Sequence, residues 1–221
     1  MLRFGYVLAA LLLTAGCRGQ RDGDETAYQS KNLGQKPVVA IVPMMDHTLN
    51  YLPWSLSEEF TLSIRHRLQQ KDFFYLVDQQ SVNEKTKQLS NGQNPFGKDL
   101  SWMKKFFFGN EFVVFMELIE HTEVPVRAQK LGSSSNTNAE LNMTIRLEIV
   151  DLRESTPRVV LQELVQESHF IPKPFTQSNF TQVAWGMDGF NVSPMGIAHA
   201  QMIKEITLRI QDYILIAKAN L

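Results

Sequence analysis

The chain has 221 residues, a formal net charge of −1, 43% hydrophobic residues and 10% aromatics. That length and apolar content suit one domain with a sizeable core, and without a block of like charges there is no electrostatic footprint for a nucleic-acid partner. The single cysteine, Cys17, excludes an intrachain disulfide and a cysteine-based zinc site, so stability has to come from the core.

Residues 1–16 read as a secretory signal. Arg3 supplies the basic start, Phe4 to Leu13 the mostly apolar core, and Ala15 and Gly16 the small residues before a cut. The apolar run is shorter than the about 20 residues that span a bilayer as a helix. Leu13-Thr14-Ala15-Gly16-Cys17 resembles the lipobox of bacterial lipoproteins. The resemblance implies cleavage before Cys17, an S-diacylglycerol on its sulfur and an N-palmitoyl chain on the new amino terminus. Two or more acyl chains anchor stably, because each buried CH₂ contributes about 0.8 kcal/mol. The implied location is a bacterial membrane, lipid-anchored and facing the periplasm. Arg18 rather than Asp follows the cysteine. By the sorting rule of enterobacterial lipoproteins, that favours the outer over the inner membrane.

Residues 17–36 are expected to be a lipid-anchored flexible tether, since 18–36 are polar and lack periodicity. As a Gly-rich coil this stretch would reach roughly 24 Å, and fully stretched about 60 Å. Asp22-Gly23-Asp24-Glu25 reads as solvated linker, because no EF-hand spacing follows.

A single α/β domain is expected over 37–221. Val38 to Val42 is a short β-branched run bounded by prolines, consistent with a buried strand. Ser55 and Glu58 form a capping box, and Leu56, Phe60, Ile64 and Leu68 follow at helical spacing, which predicts a helix over about 56–70. Phe73 to Val77 reads as the next strand, and strand–helix–strand implies a parallel crossover. Ser81 and Glu84 predict a second capped helix, to about Leu89. A Gly/Asn/Pro loop over 91–98 and a short helix over 99–107 follow.

Phe112 to Ile119 is apolar on both phases, as a central strand should be. Residues 122–138 read as a mobile loop. Leu141, Met143, Ile145, Leu147 and Ile149 alternate with polar residues and predict a strand with one wet face. After a turn from Asp151 to Pro157, Val159 to Phe170 reads as a strand with a bulge between Leu161 and Leu164. Residues 171–193 carry prolines and glycines against regular structure, yet hold Phe175, Phe180, Trp185 and Phe190. These aromatics either pin the segment onto the sheet or present a partner-binding surface. Ser193-Pro194 is a helix start. Ile203, Ile206, Ile210, Tyr213, Ile214 and Ala217 then make the apolar stripe of a long amphipathic helix.

The expected fold class is α+β. A mixed sheet of about five strands, with one parallel β-α-β crossover and an antiparallel meander, is packed by helices that include the long C-terminal one. This order resembles the CsgG/PelC/LpoB (TolB N-terminal-like) periplasmic family. The residues that carry the resemblance are Val38 to Val42, Phe73 to Asp78, Glu111 to Glu120 with Ala139 to Leu152, and Ser193 to Ala198. It implies a non-catalytic module that binds an envelope protein partner, in cell-wall synthase activation or export, or that self-assembles into a ring.

Residue patterns for catalysis are sparse. The five histidines are scattered, so neither a metal site nor a cofactor is expected. His199, near the apolar stripe, reads as a hydrogen-bonded core residue and His66 as exposed. Asp46-His47 follows the first strand, where open α/β sheets bind ligands, and is the best candidate for a small polar site, such as that of an envelope hydrolase. Nothing fixes the separation of Asp99, Glu117 and Glu120 as a carboxylate pair.

Overall fold

The computed structural model describes residues 35–89, 93–126, 138–175 and 180–220. The expected signal, Cys17 and the tether lie outside the described residues, as do 127–137 of the expected loop. In chain order the elements are β1 (Val38–Ile41), β2 (Met45–Asp46), α1 (Leu56–Lys71), β3 (Tyr75–Leu76), α2 (Gln79–Thr86) and α3 (Ser101–Phe106). They continue with β4 (Phe112–Pro125), β5 (Ala139–Asp151), β6 (Arg158–Ile171), a 3₁₀ turn (Lys173–Phe175), α4 (Phe180–Val183) and α5 (Pro194–Ala219).

The sheet has the order β3-β1-β4-β5-β6, with β2 also on β4. β1 is parallel to both β3 and β4, while β4, β5 and β6 form an antiparallel meander. The expected class, a mixed sheet with a parallel crossover, an antiparallel meander and a long closing helix, is the class observed, and a second crossover leads from β3 through α2 and α3 to β4. β2 is an addition. It continues β1 along β4 after a break at Val42-Pro43-Met44, with pairing that stops at Ile41–Val114 and resumes at Met45–Glu117. Pro43 has no N–H for the ladder. The Met44 N–H donates instead to Thr61 Oγ1 at 2.9 Å, and the Ser57 hydroxyl donates to the Met44 carbonyl. The broken strand is thereby stitched to α1.

One face of the sheet packs on α1 and α5, through residues such as Ile41, Val114 and Leu147 against Phe60 and Ile206. The other face is covered by α2 and α3 only over its first half, where Ala40, Val113 and Phe115 meet Val82, Met103 and Phe107. α1 forms as its capping residue dictates, with Ser55 Oγ accepting from the Glu58 N–H at 3.2 Å. It ends at Asp72, whose φ of 56° is left-handed, a conformation that Asp tolerates better than most residues. In α5 the stripe from Ile203 to Ala217 is buried, but Tyr213 lies on its flank and is partly exposed.

Several boundaries differ from expectation. α2 is capped by Asp78, whose carboxylate accepts from the Ser81 N–H at 2.9 Å, and not by Ser81 with Glu84. Asp caps as well as Ser and adds a negative charge at the positive end of the helix dipole. β3 contracts to two residues. β4 and β5 run on to Pro125 and back from Ala139, so the hairpin is longer than its apolar core. The bulge in β6 falls at Val160, since Ile149 pairs with Leu161 and Val150 with Val159. Alternation then runs cleanly from buried Leu161 to buried Val165, and Leu164 faces outward.

The two ends of the sheet differ in kind. At the near end the chain enters β1 and leaves α5, tied by Lys218–Glu111 at 2.8 Å and by Arg153 donating to the Ala217 carbonyl at 2.8 Å. At the far end lie the loop after β2, the β4–β5 hairpin, the end of β6 and the segment before α5.

Candidate functional site

The far end contains a buried polar chain. The Trp54 Nε1–H donates to Glu59 Oε2 at 2.7 Å. Glu59 Oε1 lies 2.7 Å from His199 Nδ1, and His199 Nε2 lies 2.9 Å from His121 Nε2. A carboxylate oxygen accepts, so His199 Nδ1 carries its hydrogen, and one proton is shared between the two Nε2 atoms. Glu59 is 1% exposed and His199 fully buried. Phe60 and Phe190 pack on His199, with ring centroids 5.1 and 5.7 Å away. Burial first, and then repulsion from His199, lowers the pKa of His121 to about 4, so this ring is neutral at pH 7.

The expected core role of His199 agrees with this environment. Glu59 and His121 were not singled out by sequence. Glu59 looks like an ordinary first-turn acid of α1. His121 reaches the α1/α5 face only because the pairing of β4 with β5 shifts between Leu118 and Glu120. That one-residue bulge turns the strand over, placing Glu120 outward against Thr144 at 3.1 Å and His121 inward.

Asp46 and His47 do not act as a pair. Asp46 organises its own loop, with Oδ1 accepting from the Thr48 N–H at 2.9 Å and Oδ2 from Asn50 Nδ2 at 3.0 Å. His47 lies 3.2 Å from Glu117, which also holds Arg146 at 2.8 Å on the outer face of the sheet. Asp99 caps a turn, accepting from Ser101. Glu117 and Glu120 thus belong to separate surface clusters. Among the described residues, no three His, Cys, Asp or Glu side chains are grouped as a metal ion would require.

The four aromatics of 171–193 part company. Phe190 is 4% exposed and packs edge-on to Trp54 at 5.5 Å, so it is a core residue and not a partner surface. Phe180 and Trp185 are half-buried against the same core, with Phe180 5.6 Å from Trp54. Phe175 is half exposed. Trp54, missed in the sequence, is what draws Phe180 and Phe190 inward. Between the first halves of α1 and α5, under Trp185 and Phe190, a groove of about 330 Å³ opens onto Glu59 and His199.

A second buried acid sits on the opposite face. Glu148 is 1% exposed, and its Oε1 has no hydrogen-bond partner among the described residues. Burial pushes its pKa up from the ordinary 4.5 to about 7, against the pull of Arg146. The ionised form therefore costs about 3 kcal/mol, at 1.36 kcal/mol per pH unit. Its penalty grows as pH rises from 4.5 to 7. His121 works in reverse. Held neutral down to about pH 4 against an ordinary 6.5, it removes stability as pH falls through that range, because the unfolded chain binds the proton first. The two slopes oppose each other between about pH 4.5 and 6.5. Glu148→Gln should unmask the His121 slope, with stability rising with pH across that interval and a gain of about 3 kcal/mol over wild type at pH 8. Urea unfolding at pH 4.5, 6.5 and 8 measures both.

The described chain is a mixed-sheet α/β domain with helices on both faces and a buried acid–histidine–histidine chain at one end. It belongs to DUF7499, a family of unknown function whose model matches residues 24–218. A hypothetical protein, CT253, from Chlamydia trachomatis has the same fold, with a TM-score of 0.64 and 23% identity over 81% of this chain and 98% of that one. Lipoprotein GNA1162 from Neisseria meningitidis aligns at a TM-score of 0.41 and 14% identity, covering 77% and 97% of the two chains. The PelC dodecamer from Paraburkholderia phytofirmans aligns at 0.40 and 8%, covering 80% and 89%. A comparison with curated proteins gives no match.

Proposed function

We propose that this chain is a lipid-anchored, periplasm-facing bacterial envelope protein that acts by holding an envelope protein partner, in cell-wall synthase activation or export, and not by catalysis. The observation that carries this is Leu13-Thr14-Ala15-Gly16-Cys17, with the sole cysteine at the position that takes lipid, followed by a polar stretch ahead of the domain. Outer-membrane residence is part of the proposal, resting on Arg18.

The far-end loops supply a surface suited to docking. Leu49 and Tyr51 are 95% and 96% exposed. Their loop is braced from within by the Asp46–Thr48–Asn50 hydrogen bonds and by Leu52 and Trp54 packed on the core. A preorganised loop loses little entropy on binding, which is what an apolar anchor needs. Phe175, half exposed just after β6, is a further apolar side chain at this end of the sheet, and the chain enters the sheet at the opposite end. Self-association is the second reading. β6 is a 14-residue edge strand with no neighbour on its outer side among the described residues, a ready template for another strand. Light scattering on the purified protein measures it.

Cys17→Ser should abolish palmitate labelling and leave unprocessed precursor. A variant with both Leu49→Ala and Tyr51→Ala should be labelled normally but lose its envelope crosslinks in intact cells. Normal anchoring of the Cys17 variant would overturn the lipid reading, and undiminished crosslinks of the loop variant would overturn the docking one.

A further inference from the structure

We propose that the groove between the first halves of α1 and α5 binds a small amphipathic carboxylate, an anionic group on an apolar or aromatic body. The walls are apolar, with Trp185 and Phe190 on one side and Leu62 and Ile203 on the helices. The floor is polar but already satisfied. Glu59 accepts from Trp54 and is bonded to His199, and the second nitrogen of His199 is taken by His121.

The rim is different. Arg67 lines the groove, and among the described residues its guanidinium has no hydrogen-bond or ion-pair partner. His66, beside it on the rim, has Gln70 Nε2 as its hydrogen-bond partner among the described residues, at 2.9 Å. Among the described residues the one acid that lines the groove, Glu59, is committed to the floor, so the charge offered to a ligand is positive. Arg presents a planar fork that matches a carboxylate bidentately, and such charge-assisted bonds are roughly twice as strong as neutral ones.

Size narrows the class further. A volume of about 330 Å³ is at the small end of ligand sites, suited to a molecule on the order of ten to fifteen heavy atoms. An aromatic body against Trp185 and Phe190 would favour edge-to-face or offset contacts. None of this depends on the lipid anchor or on the docking loop.

The test uses the full-length protein, with N-acetylphenylalanine as probe and its primary amide as the uncharged control, titrated by NMR or calorimetry. The acid should bind about tenfold tighter than the amide, the ratio expected of one charge-assisted contact. Arg67→Gln, at an exposed position that folding does not need, should bring the acid down to the level of the amide. No binding of either probe at about 10 mM, equal binding of acid and amide, or an acid preference that survives Arg67→Gln would each overturn the proposal.

Discussion

Glu59→Ala is expected to lower the unfolding free energy by about 3–5 kcal/mol, the cost of leaving two buried donors without their acceptor and opening a cavity beside them. The carboxylate serves two donors at once, Trp54 Nε1 and His199 Nδ1, each at 2.7 Å. Its loss leaves both facing a space from which His199, fully buried, cannot turn to solvent. An unmade buried hydrogen bond costs about 1–3 kcal/mol per group, and the vacated volume adds a cavity term. Glu59→Gln keeps the packing and one acceptor but turns its NH₂ on the second donor, so it should cost about 1–3 kcal/mol, without the cavity contribution. Urea unfolding followed by Trp fluorescence distinguishes the two variants. A cost below about 1 kcal/mol for Glu59→Ala would mean that water from the adjoining groove replaces the carboxylate.

Gly196→Ala reverses the usual sign of its substitution. In an exposed helix interior the change gains about 1 kcal/mol. Here a Cβ would fall 1.9 Å from the carbonyl oxygen of Phe190 and 2.7 Å from its carbonyl carbon, both backbone atoms. Those atoms cannot yield alone. The Phe190 carbonyl accepts from the Ser193 N–H at 3.0 Å and from its hydroxyl at 2.8 Å, and Ser193 Oγ accepts from the Gly196 N–H at 3.0 Å. To make room, α5 must lift from the loop that caps it, and Phe190 must leave Trp54 and His199. A loss of about 3–5 kcal/mol is expected from combined overpacking and cap disruption. Thermal unfolding monitored by circular dichroism checks it. The variant should also weaken protection of the buried chain, so its effect and that of Glu59→Ala should fall short of additive.

The long elements were legible because local rules sufficed for them. α1 has a Ser cap and four apolar residues at helical spacing; α5 has Ser193-Pro194 and a stripe of isoleucines. β5 keeps the expected alternation of Leu141 to Ile149 on one face, but the face expected to be wet is partly covered, since Thr144 and Glu148 are buried. Short elements were not legible. β2 is two residues that exist only because β4 is long enough to pair them past Pro43. The start of α2 was misplaced because Asp78 and Ser81 are both competent caps, and local chemistry does not choose between them. For Phe190 the sequence leaves both core and partner surface open, because an aromatic in a Pro- and Gly-rich segment carries no mark of which side it faces.

By itself the sequence determined the class of the domain, its two principal helices and its meander, and it is the ground for proposing Cys17 as a site of lipid attachment. Those follow from periodicity, capping residues and a short motif, all local. Only the tertiary structure decided the buried chain of Trp54, Glu59, His199 and His121, whose contacts join residues 140 and 78 positions apart. The physical reason is the bulge beside Ile119. With a side-chain period of two, one extra residue exchanges inside for outside along the rest of a strand. The hydrophobic pattern of β4 past Leu118 is too weak to announce it, and so the core side of His121 is set by pairing with β5 alone.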